Sequence, residues 1–124
     1  MESKDGFNIN GYLICKLIMH GKEGYIGSRD TKYVYYNEHI YIFDIDNEMQ
    51  RDINNDSLVG IEIDSWLTSN EKNDRSKYDS YVVVGSIEDI VDFDYRKDVI
   101  DMYFEKYREK PDKNIYKIKP IVQI

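Results

Sequence analysis

A single cysteine and two histidines among 124 residues leave little room for nucleophilic or zinc chemistry. Cys15 lies in the apolar run Tyr12–Met19, with no second thiol to pair with and no Cys/His set to hold a metal. His20 falls in a turn and His39 at a strand start, and neither has a partner at metal-ligand spacing, so both read as surface or structural residues. Asp44, Asp46 and Glu48 are spaced like the start of a calcium loop, but the glycine and the terminal bidentate glutamate are missing, and the run reads as a capped helix start. Glu88, Asp89, Asp92 and Asp94 read as a solvated approach to a helix N-terminus, where the macrodipole favours acids. The aromatic signal is stronger. Of twelve tyrosines, Tyr33, Tyr35, Tyr36 and Tyr41 group on two neighbouring strands. Alternate side chains of a strand point to opposite faces, so some of these enter a core and others face outward. The outward set serves either ordinary cross-strand packing or a platform for a planar ligand or a second subunit.

The elements that position these residues must fit in one small domain. Hydrophobic residues make up 41% of the chain and charged residues 33%, enough apolar material for one core, and the whole chain, 1–124, is expected to form a single domain. The net charge of −7 argues against a nucleic-acid partner, because no surplus of cations is present to displace counterions from phosphates. Lys and Arg are interspersed with the acids, so no acidic block mimics a nucleic acid either. No run of eighteen apolar residues is present, and Met1–Asn10 lacks the charged-then-apolar pattern of a signal peptide. With no disulfide available, a cytoplasmic protein without membrane contact is expected.

Period-two and period-3.6 patterns divide the chain. Tyr12–Met19 reads as a strand, ended by a turn at His20–Gly24. Tyr25–Gly27 and the aromatic run Tyr33–Tyr36 lead to a tight turn at Asn37-Glu38 and a strand His39–Phe43. Asp46–Ile53, with Met49 and Ile53 four apart, predicts a helix of two turns capped by Asp46 or Asn47. Leu58–Asp64 alternates, placing Val59, Ile61 and Ile63 on one face. Ser69–Lys77 has no apolar residue and reads as an exposed loop. Tyr78–Ile90 reads as a long strand with Gly85 at a bulge or close backbone contact. From Asp94, the positions Tyr95, Val99, Met102, Tyr103 and Tyr107 predict a longer helix stopped by Pro111, and Asn114–Ile124 closes as a strand. Three strands, a short helix, two strands, a longer helix and a last strand make an α+β barrel pattern.

Tyr78-Asp-Ser-Tyr-Val-Val-Val-Gly-Ser-Ile-Glu-Asp-Ile90, Asp94-Tyr-Arg-Lys with Met102–Tyr107, and Ile115-Tyr-Lys-Ile-Lys-Pro120 together resemble the pyridoxamine 5'-phosphate oxidase-like FMN-binding split barrels. Tyr33–Ile42 is similar to that family's aromatic strand, acidic turn and Ile-Tyr-Phe strand, and Ile53–Val59 to its Leu-x-x-Asn-Pro-x-Val. The resemblance covers about Tyr12 to Pro120 and implies a six-stranded, mostly antiparallel split β-barrel with one short and one longer helix. It also implies a homodimer, for which the strand tyrosines and Trp66 supply interface aromatics.

The family holds the flavin phosphate with a Ser or Thr ending the third strand and a basic residue opening the short helix. In this chain those positions fall near Asp44, Glu48 and Met49, and two carboxylates there repel a phosphate. The resemblance therefore shifts the expected cofactor contacts to Arg29 and Lys32, on the strand that passes beside the flavin, and to Gln50 and Arg51 on the short helix. Two functions are implied: an FMN-dependent oxidoreductase or electron-transfer protein whose redox chemistry belongs to the flavin, or a non-catalytic dimeric binding protein that has lost it. No catalytic side chain is identified.

Overall fold

The computed structural model describes residues 9–20, 26–43, 45–64, 80–90, 96–111 and 114–123. The His20–Gly24 turn after its first residue, Asp44, Trp66, the Ser69–Lys77 loop, and Asp92, Asp94 and Tyr95 lie outside the described residues. A 3-10 turn at Ile9–Gly11 precedes the strands β1 (Cys15–His20), β2 (Ile26–Thr31), β3 (Tyr33–Tyr36) and β4 (His39–Ile42). Helix α1 (Asn47–Asn55), strands β5 (Leu58–Asp64) and β6 (Ser80–Ile90), helix α2 (Arg96–Tyr107) and strand β7 (Ile115–Gln123) follow.

All seven strands join one sheet in the order β2-β1-β5-β6-β7-β4-β3, and every pairing is antiparallel. The two edge strands β2 and β3 are consecutive in sequence, separated by Lys32 alone. Laid flat, the edges of such a sheet would stand roughly 29 Å apart at the usual strand spacing, while one residue spans less than about 4 Å. The sheet must therefore curl until its two edges approach without pairing, and the fold is the expected α+β split barrel with a short and a longer helix. Among the described residues it has seven strands where the sequence pattern predicts six, because the stretch Ile26–Tyr36 resolves into β2 and β3. Gly27 to Thr31 carries no apolar alternation to reveal a strand, since β2 is an edge with only Thr31 buried.

Alternation then sorts the side chains. Leu17, Ile61, Val83 and Ile118 are fully buried inside the barrel with Tyr33, Ile40 and Ile42. Met49 and Ile53 of α1 close the interior, as their four-residue spacing predicts. Asp46 caps α1, its carboxylate accepting from the Met49 N–H at 2.8 Å. The opposite faces of β3, β4 and β7 carry Val34, Tyr41 and Ile115, with Phe43 just past β4, and α2 packs over them through Val99 and Tyr103. Helix α2 ends before Pro111: Arg108 adopts φ 61° and its N–H bonds Phe104 O at 2.7 Å, a left-handed cap.

Two local features match their sequence signals. Asn37 and Glu38 both have positive φ, 52° and 64°, and join β3 to β4 with Tyr36 opposite His39, a two-residue hairpin. The β6–β7 register shifts between Val84 and Gly85, where a Cβ on Gly85 would lie 2.6 Å from Lys119 O. Only glycine permits that approach.

Candidate functional site

Strand parity decides where the expected cofactor residues go. Arg29 pairs with Leu17 across β2–β1 and so shares the face that Leu17 turns to the core. At the barrel edge this face meets α1, and the Arg29 guanidinium donates to Glu48 Oε1 at 2.5 Å. Arg29 is thereby brought to the helix that carries half-buried Gln50 and exposed Arg51. Lys32 is three residues on and faces the other way. Its ammonium donates to Glu109 Oε1 at 2.6 Å, just beyond α2, and lies 5.3 Å from the Tyr107 ring. The structure therefore brings Arg29 to Glu48 of α1, the helix that also carries Gln50 and Arg51, and sends Lys32 to the α2 side.

The carboxylate expected to repel a phosphate, Glu48, is the partner of Arg29. Both side chains are open to solvent, at 44% and 61% exposure, so the pair contributes at most about 1 kcal/mol. An anion of higher charge can compete for the guanidinium at small cost. Met49 points into the barrel core and offers nothing to a ligand.

A second constellation lies where the barrel is split. The free edge of β3 exposes the N–H and C=O groups of Tyr33 and Tyr35, which no strand pairs. Asn10 takes the place of a strand at Tyr35, its amide oxygen accepting from Tyr35 N and its nitrogen donating to Tyr35 O, each at 2.7 Å. Tyr107 does so at Tyr33, its hydroxyl accepting from the backbone N–H at 3.0 Å and lying within donating distance of Leu13 O and Tyr33 O. Lys106 donates to Tyr33 O at 3.1 Å and sits 3.6 Å from the centroid of the Tyr33 ring. The Tyr33 hydroxyl in turn donates to Ile9 O.

Burial lowers the Lys106 ammonium to a pKa of about 7, and no carboxylate contributes to hold its charge. Beneath it, Cys15 Sγ lies 3.2 Å from Thr31 Oγ1, and burial pushes the thiol up to about 12, so it is a protonated, inert core group. Burial likewise raises the Tyr33 phenol. A pocket of about 340 Å³, lined by Asn10, Val34, Met102, Glu105 and Lys106, opens at this seam.

The sequence pattern does not single out Asn10, and Lys106 enters it only through the family resemblance, as half of the Lys106-Tyr107 pair that closes the longer helix, with no site role attached. A signal existed for the lysine: it stands seven residues after buried Val99 and three after Tyr103, on the apolar stripe of α2. The histidines do other work. His20 lies 3.6 Å from Asp56 on the surface, and His39 Nδ1 is 2.8 Å from Asn37 O. Among the described residues no group of three potential ligands could hold a metal, and no helix is long and apolar enough to cross a membrane.

No protein-family model matches the chain, and no curated protein matches it by sequence. Solved structures do match in shape. The heme storage protein HutZ from Vibrio cholerae superimposes with a TM-score of 0.71 at 10% identity, over 90% of this chain and 84% of that one. An FAD-binding protein from Mesorhizobium loti gives 0.64 at 15% identity, over 93% and 86%. A candidate pyridoxamine 5'-phosphate oxidase from Listeria innocua gives 0.68 at 9% identity, over 94% and 90%. At such identities the likeness establishes the split-barrel fold.

Proposed function

We propose that this protein binds FMN, or a closely related planar flavin, at the corner of β2 and α1, with Arg29 and Arg51 facing the phosphate and Gln50 beside them. The observation that carries this reading is the convergence of Arg29 onto α1 through a solvent-open ion pair that a phosphate can displace. Similarity in shape to an FAD-binding protein and to a candidate pyridoxamine 5'-phosphate oxidase supports it. Bound flavin would supply hydride or electron transfer, and the chain's own residues would position it and balance its charge.

A homodimer accompanies this reading. Ile18, Gly60, Val84 and Val122 are successive cross-strand partners on the outer face of β1, β5, β6 and β7. Val122 is 54% exposed, with Ile121 beside it at 62%, an apolar strip suited to a second copy.

A non-catalytic role is the second reading, favoured by Glu48 itself, a carboxylate already seated on the guanidinium that a phosphate needs. A visible spectrum of the purified protein followed by FMN titration separates the two. Flavin absorbance or quenched FMN fluorescence at micromolar concentration is expected; a colourless protein that leaves added FMN unquenched would select the non-catalytic role.

A further inference from the structure

We propose that the Lys106 amine, at the wall of the pocket between Asn10 and α2, is a nucleophile that forms a reversible imine with a small neutral aldehyde. This site is separate from the β2–α1 corner and does not depend on flavin binding.

The pocket, at about 340 Å³, is of a size to hold a small organic molecule, with Val34 and Met102 offering apolar surface and Asn10 a polar group. Glu105 on the same lining disfavours anionic carbonyl compounds and leaves neutral ones. The Lys106 contacts orient its nitrogen. One N–H is directed at Tyr33 O, 3.1 Å away, and a second meets the negative face of the Tyr33 ring at 3.6 Å. The lone pair of a free amine must then point away from both.

Among the titratable groups around the amine, only the Cys15 thiol favours its charged form, and burial outweighs it. The Cys15 thiol of β1 and the Tyr33 phenol of β3 are both raised by burial and stay neutral at pH 7. On α2, Tyr107 offers a hydroxyl engaged with backbone, and Glu105 borders the pocket without contributing to the lysine's titration. Lys32 near the Tyr107 ring is paired with Glu109. With burial lowering its pKa to about 7, Lys106 supplies far more free amine at neutral pH than an ordinary lysine, which holds less than about one part in a thousand.

The reaction is balanced without an oxidant. The amine nitrogen bonds to the aldehyde carbon, the carbonyl π electrons move to oxygen, and a proton passes from nitrogen to that oxygen. Loss of water from the resulting carbinolamine leaves the imine.

The test is reductive trapping on the full chain with butanal and cyanoborohydride, read by peptide mass mapping. Lys97, fully exposed and paired with Asp101, serves as internal reference. Labelling of Lys106 should exceed that of Lys97 by about tenfold or more at pH 7. Its rate should level off above pH 7, while that of Lys97 climbs through pH 9. Met102→Trp, which fills the pocket, should remove the Lys106 adduct and spare Lys97. Equal labelling of the two lysines in the folded wild type would overturn the proposal, as would parallel pH profiles. Undiminished Lys106 labelling in a folded Met102→Trp protein would overturn it too.

Discussion

The hydroxyl of Tyr107, on the last residue of α2, lies 3.0 Å from the backbone nitrogen of Tyr33 and 2.7 Å from Leu13 O. One side-chain oxygen thus joins the segment entering β1 to the free edge of β3, across the gap where the curled sheet fails to close. Its ring packs 4.7 Å from Tyr103, which is anchored 4.4 Å from Phe43. Tyr107→Phe keeps the ring and removes the bridge. The Tyr33 N–H then loses its partner in a part-buried place, and stability should fall by about 1–2 kcal/mol. Thermal denaturation measures the loss, and amide exchange should accelerate at Tyr33 while Val83 in the barrel wall stays protected.

Gly85 is the second place where backbone geometry tolerates no change. A Cβ there meets Lys119 O at 2.6 Å and Ile118 Cγ2 at 2.9 Å. Two neighbouring strands would have to separate, so Gly85→Ala should cost roughly 2–3 kcal/mol, in the range of overpacked cores. Gly60→Ala is the control. Its Cβ would find ordinary contact with Ile18 at 3.6 Å, and urea midpoints should show it near wild type.

These positions show what could be read from sequence. The alternation of Val59, Ile61 and Ile63, the Asn37-Glu38 turn and the Gly85 bulge are local patterns whose physics does not depend on distant neighbours. Arg29 and Lys32, by contrast, are close in sequence but stand three residues apart in extended chain, and only their contacts, with Glu48 of α1 and with Glu109 beyond α2, reveal that they face opposite ways. The role of Lys106 is not legible in the sequence, because a lysine on a helix counts as solvated until the β3 edge it covers is known. Asn10 lies before the first strand with no periodicity around it, and its partner Tyr35 is 25 residues away.

The capping of α1 yields a third prediction. Asp46 is the only side chain bonded to the helix N-terminus among the described residues, through Met49 N. Asp46→Ala should lower stability by about 1 kcal/mol, and Asp46→Asn, which retains an acceptor, by a few tenths. Because α1 carries Gln50 and Arg51, loosening it should also weaken any ligand held at the β2–α1 corner more than it changes the melting temperature of the barrel.

Lys106 makes stability depend on pH. Its pKa is about 7 in the folded chain and near the ordinary 10.5 when unfolded, so between these values the unfolded state binds more protons. Stability must therefore rise as pH increases from about 7 towards 10, and below pH 7 the cost of burying the charge is fully present. Lys106→Met removes this contribution. The urea midpoint of wild type relative to Lys106→Met should increase between pH 7 and pH 9.5; a constant difference would mean that the amine titrates normally.

At the β2–α1 corner, charge balance sets the order of variants. Glu48→Gln removes the carboxylate that occupies Arg29 and should tighten FMN, with Glu48→Lys tightening it further by adding a cation on the first turn of α1. Arg29→Ala should weaken FMN by about 1–2 kcal/mol, less than a desolvated pair would lose, because the guanidinium is 44% exposed. Arg51→Ala should weaken it as well, while Lys32→Ala should leave FMN affinity unchanged, since that ammonium is committed to Glu109 on the α2 side. Fluorescence titration of the five variants reads this order directly. If Lys32→Ala weakens FMN more than Arg29→Ala does, the phosphate sits on the α2 side of the barrel and the assignment of the corner is wrong. If no variant changes a measurable affinity, the flavin is held by groups other than these cations.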